Sequence, residues 1–390
     1  MKKLTNQSVF RERNLKAVIN LLKNENMTSR VIAGKLNLSI VATDKIIEEL
    51  IELNLVESVI ESNTNKRGRP ACKYIYSPKK YCVAAIDLST KKIKWNFSTL
   101  DLKILSELVY EDIPTITENI LKNIVMDMKK QADKLEKEGY ILQNITISSP
   151  GKISKKTHII AYAPRFEKVY NIDIISFFQK YFTCQLFLDN DINLALIGEM
   201  NLGCSFENIT DAIYMQLDYG IGGSLLLNSK IYYGANGFSG EFGLVKAKKE
   251  NNRLINLGGV CSVSGMLERY EKKTGEGISY HKFLELYNDK NSTVLELVND
   301  SINNLAIFCY DIVNIFDTEI IVLGGAIRNF GNYYIEKLDK EFLKLKEMES
   351  YEKIVFSDCV GDVKIMGAIH FSVTQAINKI IKERKNNNVK

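Results

Sequence analysis

The sequence predicts an α/β protein whose N-terminus carries a small domain of three helices and two strands. Within the first 76 residues, the helical spacing of apolar residues gives way to strand-like alternation, in the order helix, helix, turn, longer helix, strand, strand. From residue 81 onward, strands and helices follow one another, which predicts an α/β domain. The 390 residues are 45% hydrophobic and 25% charged, a globular composition that excludes a disordered chain.

Three helices are predicted at the N-terminus. Apolar residues recur at helical spacing over Asn14–Leu22, and Thr28 is a suitable N-cap for a second helix over Ser29–Leu36. After a tight turn, a third helix begins at Ser39 or its neighbour and ends near Leu53. Two helices joined by a short turn are typical of a helix-turn-helix, whose last helix can enter the major groove of DNA. A plain three-helix bundle is the alternative.

The third helix is expected to separate its apolar and polar side chains. The residues expected to face inward are Val41, Ile46, Ile47, Leu50 and Leu53, and those expected to face outward are Thr43, Asp44, Lys45, Glu48 and Glu49. The candidates for contact with DNA at this helix are Ser39, Thr43 and Lys45.

Two strands are predicted over Val56–Ile60 and Lys73–Tyr76, and they flank a polar tip that has no means of burying itself. This pattern is typical of a β-wing. The tip places three cations on a loop whose shape is restricted by Gly and Pro, which suits it to phosphates and to the minor groove. Its candidate DNA contacts are Lys66, Arg67, Gly68 and Arg69. An ordinary solvated hairpin tip is the alternative.

The positive charge of the chain is concentrated in the same segment. Residues 1–80 carry 15 Lys and Arg against 8 Asp and Glu, a net charge of +7, whereas the other 310 residues carry 37 against 39, a net charge of −2. A basic segment that coincides with a helix-turn-helix pattern favours binding to double-stranded DNA over a merely solvated surface.

The pattern also predicts the domain organisation: a winged helix-turn-helix over residues 1–76, a short linker over 77–80 and a second domain over 81–390. The first elements expected after the linker are strands at Tyr81–Asp87, Ile93–Leu100 and Ile141–Ser148 and a helix at Ile116–Glu138. The N-terminus lacks an apolar signal core and no stretch is long enough to span a membrane, so we expect a cytoplasmic protein with no membrane partner. Seven cysteines without a Cys-x-x-Cys pair agree with a reducing compartment.

Six short strings follow the winged helix in a fixed order: Ala85-Ile86-Asp87-Leu88, Ser149-Pro150-Gly151, Asn190-Asp191-Ile192-Asn193, Gly220-Ile221-Gly222-Gly223, Gly234-Ala235-Asn236-Gly237 and Gly240-Glu241-Phe242-Gly243. Each string alone is weak, but their order behind a winged helix resembles the repressor branch of the ROK family (repressor, open reading frame, kinase). The resemblance implies two actin-like (ribonuclease H-like) α/β lobes with a sugar in the cleft, in proteins that are either sugar kinases or sugar-responsive repressors.

The resemblance also implies which residues hold the sugar. In the family's kinases, the aspartate that matches Asp191 takes the proton from the attacking hydroxyl. Asn190, Glu241 and Glu268 match further sugar-binding groups, although a surface carboxylate is the alternative for Glu268. Arg165 stands where the family has a neutral amide, and it is a candidate partner for a phosphate or carboxylate on the effector. An exposed salt bridge is the alternative for Arg165.

Two departures from the family pattern bear on catalysis and metal. The kinases' phosphate loops, Asp-x-Gly-Gly-Thr and Gly-Thr-Gly, read here Asp87-Leu88-Ser89-Thr90-Lys91 and Asp218-Tyr219-Gly220, so side chains and an acid stand where phosphates need close backbone approach. The family's four zinc ligands read Leu244, Gly259, Cys261 and Met266, and one ligand of four does not make a zinc site. We therefore expect no kinase activity, no cofactor and no metal, with Leu244 and Met266 packing where the ion would be.

The sequence thus predicts a sugar-responsive transcriptional repressor of carbohydrate uptake or catabolism genes. Three partners are expected. They are a double-stranded DNA operator with an inverted repeat, a sugar or sugar phosphate effector, and a second copy of the chain in a homo-oligomer. An active ATP-dependent sugar kinase with a DNA-binding appendage is the alternative from another class, and an activator is a third possibility.

Overall fold

The structure is a computed structural model that describes residues 6–60, 72–206, 208–250, 252–346, 353–359 and 361–387. The predicted wing tip, with Lys66, Arg67, Gly68 and Arg69, lies outside the described residues, so these four DNA contacts stay a prediction.

The helices of the described residues are α1 (Asn6–Asn24), α2 (Ser29–Leu36), α3 (Ile40–Glu52), α4 (Glu118–Lys137), α5 (Ile174–Gln179), α6 (Asp191–Leu202), α7 (Leu257–Cys261), α8 (Val263–Thr274), α9 (Tyr280–Asn288), α10 (Ser292–Phe316), α11 (Gly331–Leu345) and α12 (Val363–Asn387). Short 3-10 turns lie at Cys204–Phe206, Phe242–Leu244 and Ala326–Phe330.

The strands are β1 (Val56–Ile60), β2 (Cys72–Tyr76), β3 (Tyr81–Asp87), β4 (Ile93–Thr99), β5 (Ile104–Tyr110), β6 (Ile141–Ser149), β7 (Lys152–Ile153), β8 (Ile160–Tyr162), β9 (Tyr170–Ile172), β10 (Gln185–Asn190), β11 (Ala212–Leu217), β12 (Ile221–Leu227), β13 (Lys230–Ile231), β14 (Lys246–Glu250), β15 (Arg253–Asn256), β16 (Ile320–Gly324) and β17 (Lys353–Phe356). The other strands and helices predicted up to residue 149 are confirmed to within about two residues, but α1 begins eight residues before its predicted start at Asn14, and β5 was not predicted.

The chain forms two compact units. The first contains Met1–Ile147, Ser176–Phe187 and Ile369–Lys390, and the second contains Ser148–Ile175 and Leu188–Ala368. The predicted linker at 77–80 joins β2 to β3 inside the first unit. The domain boundaries at 76 and 81 stay a prediction.

The N-terminal helices pack as a winged helix-turn-helix because their turns are capped locally. Thr28 and Ser39 accept hydrogen bonds from the backbone N–H groups of Val31 and Ala42, three residues along, and so begin α2 and α3. Asn37 ends α2 in the left-handed conformation, at a φ of 52°. Met27 exchanges two backbone hydrogen bonds with Tyr74 of β2, which ties the hairpin to the helices.

The prediction for the faces of α3 is wrong at three positions. Thr43 is completely buried, and its hydroxyl donates to the Ser39 carbonyl at 3.1 Å, so burial leaves no polar atom without a partner. Glu49 is also buried, because Arg11 of α1 donates to its carboxylate. Val41, expected inside, is 67% exposed.

Each unit carries a five-stranded sheet with the same strand order. In the first unit the order is β10-β6-β3-β4-β5, and in the second it is β13-β12-β11-β16-β17. Consecutive strands β3, β4 and β5 pair antiparallel, as do β11, β12 and β13, whereas β16 and β17 pair parallel beside β11. Two sheets of this order, which follow the N-terminal winged helix-turn-helix, confirm the predicted fold class of two actin-like α/β lobes.

None of the described helices has both the length and the hydropathy that crossing a membrane requires.

Candidate functional site

The outward face of α3 is the candidate surface for reading DNA. Val41, Lys45 and Glu48 are exposed and are spaced four and three residues apart, so they form one stripe on the helix. Lys45 thus lies where it was predicted, whereas Thr43 is buried on the opposite face and Ser39 serves as the N-cap. An apolar, a cationic and an anionic side chain are complementary to the thymine methyl, to guanine O6 and N7, and to cytosine N4, respectively.

We expect Val41→Ala and Lys45→Ala to change the preferred DNA sequence, each by about 1 kcal/mol or more at one base pair, because each removes a contact to one base edge. Thr43→Val should instead lower the stability of the fold and leave the preference unchanged. Selection of bound fragments from a random DNA pool, followed by fluorescence anisotropy on single-base variants of the DNA, measures the sequence preference of all three protein variants. A Thr43→Val protein with altered preference would argue against the assignment of faces.

Asn190 and Asp191, two of the residues implied as the effector site, lie at the junction of β10 and α6. Asp189, the residue before the last of β10, is buried and accepts three hydrogen bonds: from the Tyr233 hydroxyl at 2.6 Å, from Asn193 Nδ2 at 3.0 Å and from the Asn190 backbone N–H at 2.7 Å. Burial raises the pKa of Asp189, and these hydrogen bonds oppose the rise. Ser224 of β12 donates to Asn193 at 2.7 Å, so the network fixes this junction against the second sheet.

Asn190 holds the local backbone with both ends of its amide. Its Oδ1 accepts from the Ile192 N–H at 2.9 Å, which caps α6, and its Nδ2 donates to the Gly151 carbonyl at 2.9 Å. These bonds place the Ser149-Pro150-Gly151 string beside the Asn190-Asp191 string. A direct contact from Asn190 to a sugar stays a prediction, since its amide already has these two structural partners.

Asp191 is paired with a cation that sequence reasoning missed. Lys364, at the start of α12, lies 2.6 Å from the carboxylate through its Nζ, and the two side chains are only 11% and 9% exposed. Asp191 is also the first residue of α6, where the helix dipole favours a negative charge. The charge of the aspartate that matches the kinases' proton acceptor is therefore balanced within the protein.

Glu241 lies within electrostatic reach of this pair. Burial raises the pKa of Glu241, the positive charge of Lys152 opposes that rise, and the negative charge of Asp191 adds to it. The preceding Gly240 has a φ of +86°, and a Cβ there would collide with the backbone of Gly223 in β12. This close approach is what holds Glu241 beside the sheet.

The other two implied residues are less closely tied to this site. Glu268 is exposed on α8, and Arg165 is half-buried in the segment between β8 and β9. Both stay predictions.

The second phosphate-loop position holds an internal carboxylate. Asp218 Oδ1 accepts from the Ala326 N–H at 2.6 Å, at the start of the 3-10 turn that follows Gly324 and Gly325, and Oδ2 accepts from Gln216 Nε2 at 2.5 Å. A Cβ at Gly325, whose φ is +87°, would lie 2.8 Å from Oδ1. A backbone N–H beside a glycine pair is the kind of donor that binds phosphate, and here Asp218 takes it.

Asp218→Ala should lower the free energy of unfolding by about 1–3 kcal/mol, because the Ala326 N–H and the Gln216 amide lose their acceptor. Asp218→Asn, which keeps one oxygen, should cost less. Urea denaturation of both variants measures the difference. Equal stability of wild type and Asp218→Ala would mean that solvent replaces the carboxylate fully.

The first phosphate-loop position, in the other unit, is closed by local hydrogen bonds. Ser89 donates to the Asp87 carboxylate through its backbone N–H at 3.2 Å and through its hydroxyl at 2.9 Å. Ser89 stands where the family's loop has a glycine, and its hydroxyl therefore donates to Asp87, the aspartate of the same loop.

The four positions that match the family's zinc ligands do not behave alike. Cys261 is buried, its thiol donates to the Ser301 carbonyl at 3.3 Å, and burial raises its pKa to about 12. Met266 is buried as expected, but the expectation that Leu244 packs beside it is wrong, since Leu244 is 53% exposed. The group of possible metal-ligating side chains found among the described residues, Glu199, Asp358 and Cys359, includes none of these four positions.

Sequence reasoning missed Asp189, Tyr233, Lys152 and Lys364. Asp189 could have been found, because it directly precedes the Asn190-Asp191 string at the end of β10. Lys364 could not, because no motif surrounds it and 173 residues separate it from Asp191.

Curated relatives match more than half of the chain. The xylose repressor of Staphylococcus xylosus is 22% identical over 347 residues, which are 87% of this chain and 88% of that protein. The DNA-binding transcriptional dual regulator NagC of Escherichia coli (strain K12) is 24% identical over 250 residues, which are 64% and 61% of the two chains.

Solved structures are similar in fold. A ROK family transcriptional regulator, described as a homologue of the E. coli MLC protein, superposes with a TM-score of 0.79 at 17% identity, over 96% of this chain and 99% of that chain. A ROK hexokinase from Thermus thermophilus gives 0.65 at 19% identity, over 76% and 99%. At these identities the likeness establishes the fold alone.

The fold and its acidic site define a kinase-like α/β protein with an N-terminal winged helix. The model of the ROK family matches residues 83–374, which is more than half of the sequence. The chain belongs to the ROK family, as the order of its motifs predicted.

Proposed function

We propose that this protein is a sugar-responsive, DNA-binding repressor of genes for carbohydrate uptake or catabolism. The observation that carries the proposal is the presence, in one chain, of a winged helix-turn-helix and a ROK domain in which the Asp218 carboxylate accepts the Ala326 N–H. Relatives named xylose repressor, which match over most of their length, support the same function. Binding to operator DNA implies the cytoplasm as its compartment.

The proposed effector site is built from Asp191 and Glu241, with Asn190, Glu268 and Arg165 as further candidates. The carboxylates of Asp191 and Glu241 provide acceptors for the hydroxyl groups of a sugar. Lys364 forms an ion pair with Asp191, and the positive charge of Lys152 acts on Glu241. D-xylose is the first effector to test, because of the names of the relatives.

The operator proposed is double-stranded DNA with an inverted repeat, bound by a homodimer or higher even oligomer. A helix-turn-helix protein with two-fold symmetry places one α3 in each of two half-sites, about one helical turn apart. Sedimentation of the protein with and without an operator fragment tests the stoichiometry.

An active sugar kinase is the alternative function, favoured by the hexokinase-like fold. The geometry of the two loops opposes it, because Asp218 puts a negative charge where a nucleotide phosphate would bind and Ser89 closes the first loop.

A thermal-shift screen combined with an assay of ATP consumption distinguishes the two functions. The protein is heated with D-xylose, D-glucose, N-acetyl-D-glucosamine and their phosphates, and in parallel with ATP and magnesium. A repressor should be stabilised by one sugar, by about 2.7 kcal/mol at a hundred times its dissociation constant, and should consume no ATP in its presence. Sugar-dependent ATP consumption would support the kinase.

A further inference from the structure

Lys364 lies against Asp191 in the proposed effector site, so the inference drawn from it rests on the proposed function above. Its ammonium binds one oxygen of Asp191, Oδ2, at 2.6 Å. Within the described residues, the other oxygen, Oδ1, has no hydrogen-bond partner and is not among the fully buried polar atoms that lack one. The pair therefore presents a single free acceptor atom at the start of α6.

This arrangement differs from what proton abstraction needs. A general base must approach the hydroxyl and receive its proton, and a negative charge without a fixed counterion favours that transfer. Here the counterion is built in and almost buried, so the carboxylate can accept a hydrogen bond at Oδ1 while Lys364 fixes its orientation. A hydrogen bond of this kind binds a hydroxyl without activating it.

We propose that Lys364 is the positioning residue that turns the family's proton-accepting aspartate into a static sugar-binding group. Through Oδ2 it orients Asp191, so that Oδ1 accepts one hydroxyl of the effector sugar. Loss of Lys364 weakens effector binding through Asp191 and leaves operator binding in the absence of sugar unchanged.

The pair is anchored from the other side by backbone packing. Residues Gly198 and Gly367 lie where α6 and α12 meet: a Cβ on Gly198 would collide with the Val363 carbonyl, and one on Gly367 would collide with the Leu194 carbonyl. Because the two helices touch backbone to backbone, the Lys364 stem has little freedom to swing away from Asp191.

The test is a double-mutant cycle with Lys364→Met, Asp191→Asn and the combined variant. Binding of D-xylose, or of the screened sugar that stabilises wild type most, is measured by titration calorimetry. We expect each single variant to bind about tenfold or more weakly than wild type, and the combined variant to bind no more weakly than Asp191→Asn alone. Losses that add in the combined variant, or unchanged binding by Lys364→Met, would overturn the proposal.

Unfolding in urea separates this role from a merely structural one. Each single variant breaks an ion pair between two nearly buried side chains and should unfold at lower urea, whereas the combined variant, with neither charge, should recover most of that loss. Recovery of stability without recovery of sugar binding is the expected signature. Recovery of both would show that Lys364 only supports the fold. If no sugar in the screen binds wild type, the proposed function fails, and the inference fails with it.

Discussion

Glu241→Gln is expected to keep operator binding and to respond to effector only at about ten- to a hundredfold higher sugar concentration. The substitution preserves size and shape but removes the charge of an acceptor that lies within reach of Asp191 and Lys152. A hydrogen bond to a charged group contributes about 1.5–3 kcal/mol, which corresponds to that loss of affinity. Operator binding followed by anisotropy across a sugar titration measures the change.

Asp191→Asn should show the same loss of response together with lower stability, because it breaks the nearly buried ion pair with Lys364. Glu276→Gln, an exposed position beyond α8, is the matched control and should respond like wild type. If both Glu241→Gln and Asp191→Asn respond normally while folded, these carboxylates are structural and the effector binds elsewhere.

Replacing Arg67 and Arg69 together by Ala is expected to weaken operator binding and to flatten its dependence on salt. Each phosphate contact contributes about 0.9 to the slope of log affinity against log salt, so the loss of two contacts should reduce the slope by about 1.8. The net charge of +7 over residues 1–80 predicts a steep slope for wild type. The measurement is operator affinity at four or five salt concentrations.

Lys130→Ala with Lys137→Ala is the control for this prediction. Both lysines are exposed on α4, and the double variant removes the same net charge without touching the wing. It should retain the slope of wild type. A double arginine variant with an unchanged slope would mean that the wing does not contact phosphates.

Local signals made the N-terminal fold predictable. Thr28, Ser39 and the turn at Asn37 act through hydrogen bonds to neighbours a few residues away, so their effect on the backbone can be read without knowledge of the rest of the chain. The alternation of β1 and β2 likewise depends on adjacent residues, and the motif order was sufficient to indicate the family.

Side-chain environment was harder to predict, because it depends on distant partners. Glu49 is buried through Arg11, which lies in another helix, and Thr43 is buried because a backbone carbonyl accepts its hydroxyl. A rule that places polar residues outside fails at both positions. For the same reason the sequence indicated Asp191 but not Lys364, whose position is set by the packing of α12 on α6.

The affinity of the full-length protein for its selected operator, with and without effector sugar at constant ionic strength, tests the central claim most directly. We expect one sugar in the screen to change this affinity by at least about tenfold, a coupling of about 1.4 kcal/mol, while ATP in the same solution is not consumed. An operator affinity that no sugar alters, together with sugar-dependent loss of ATP, would contradict the account and identify a kinase.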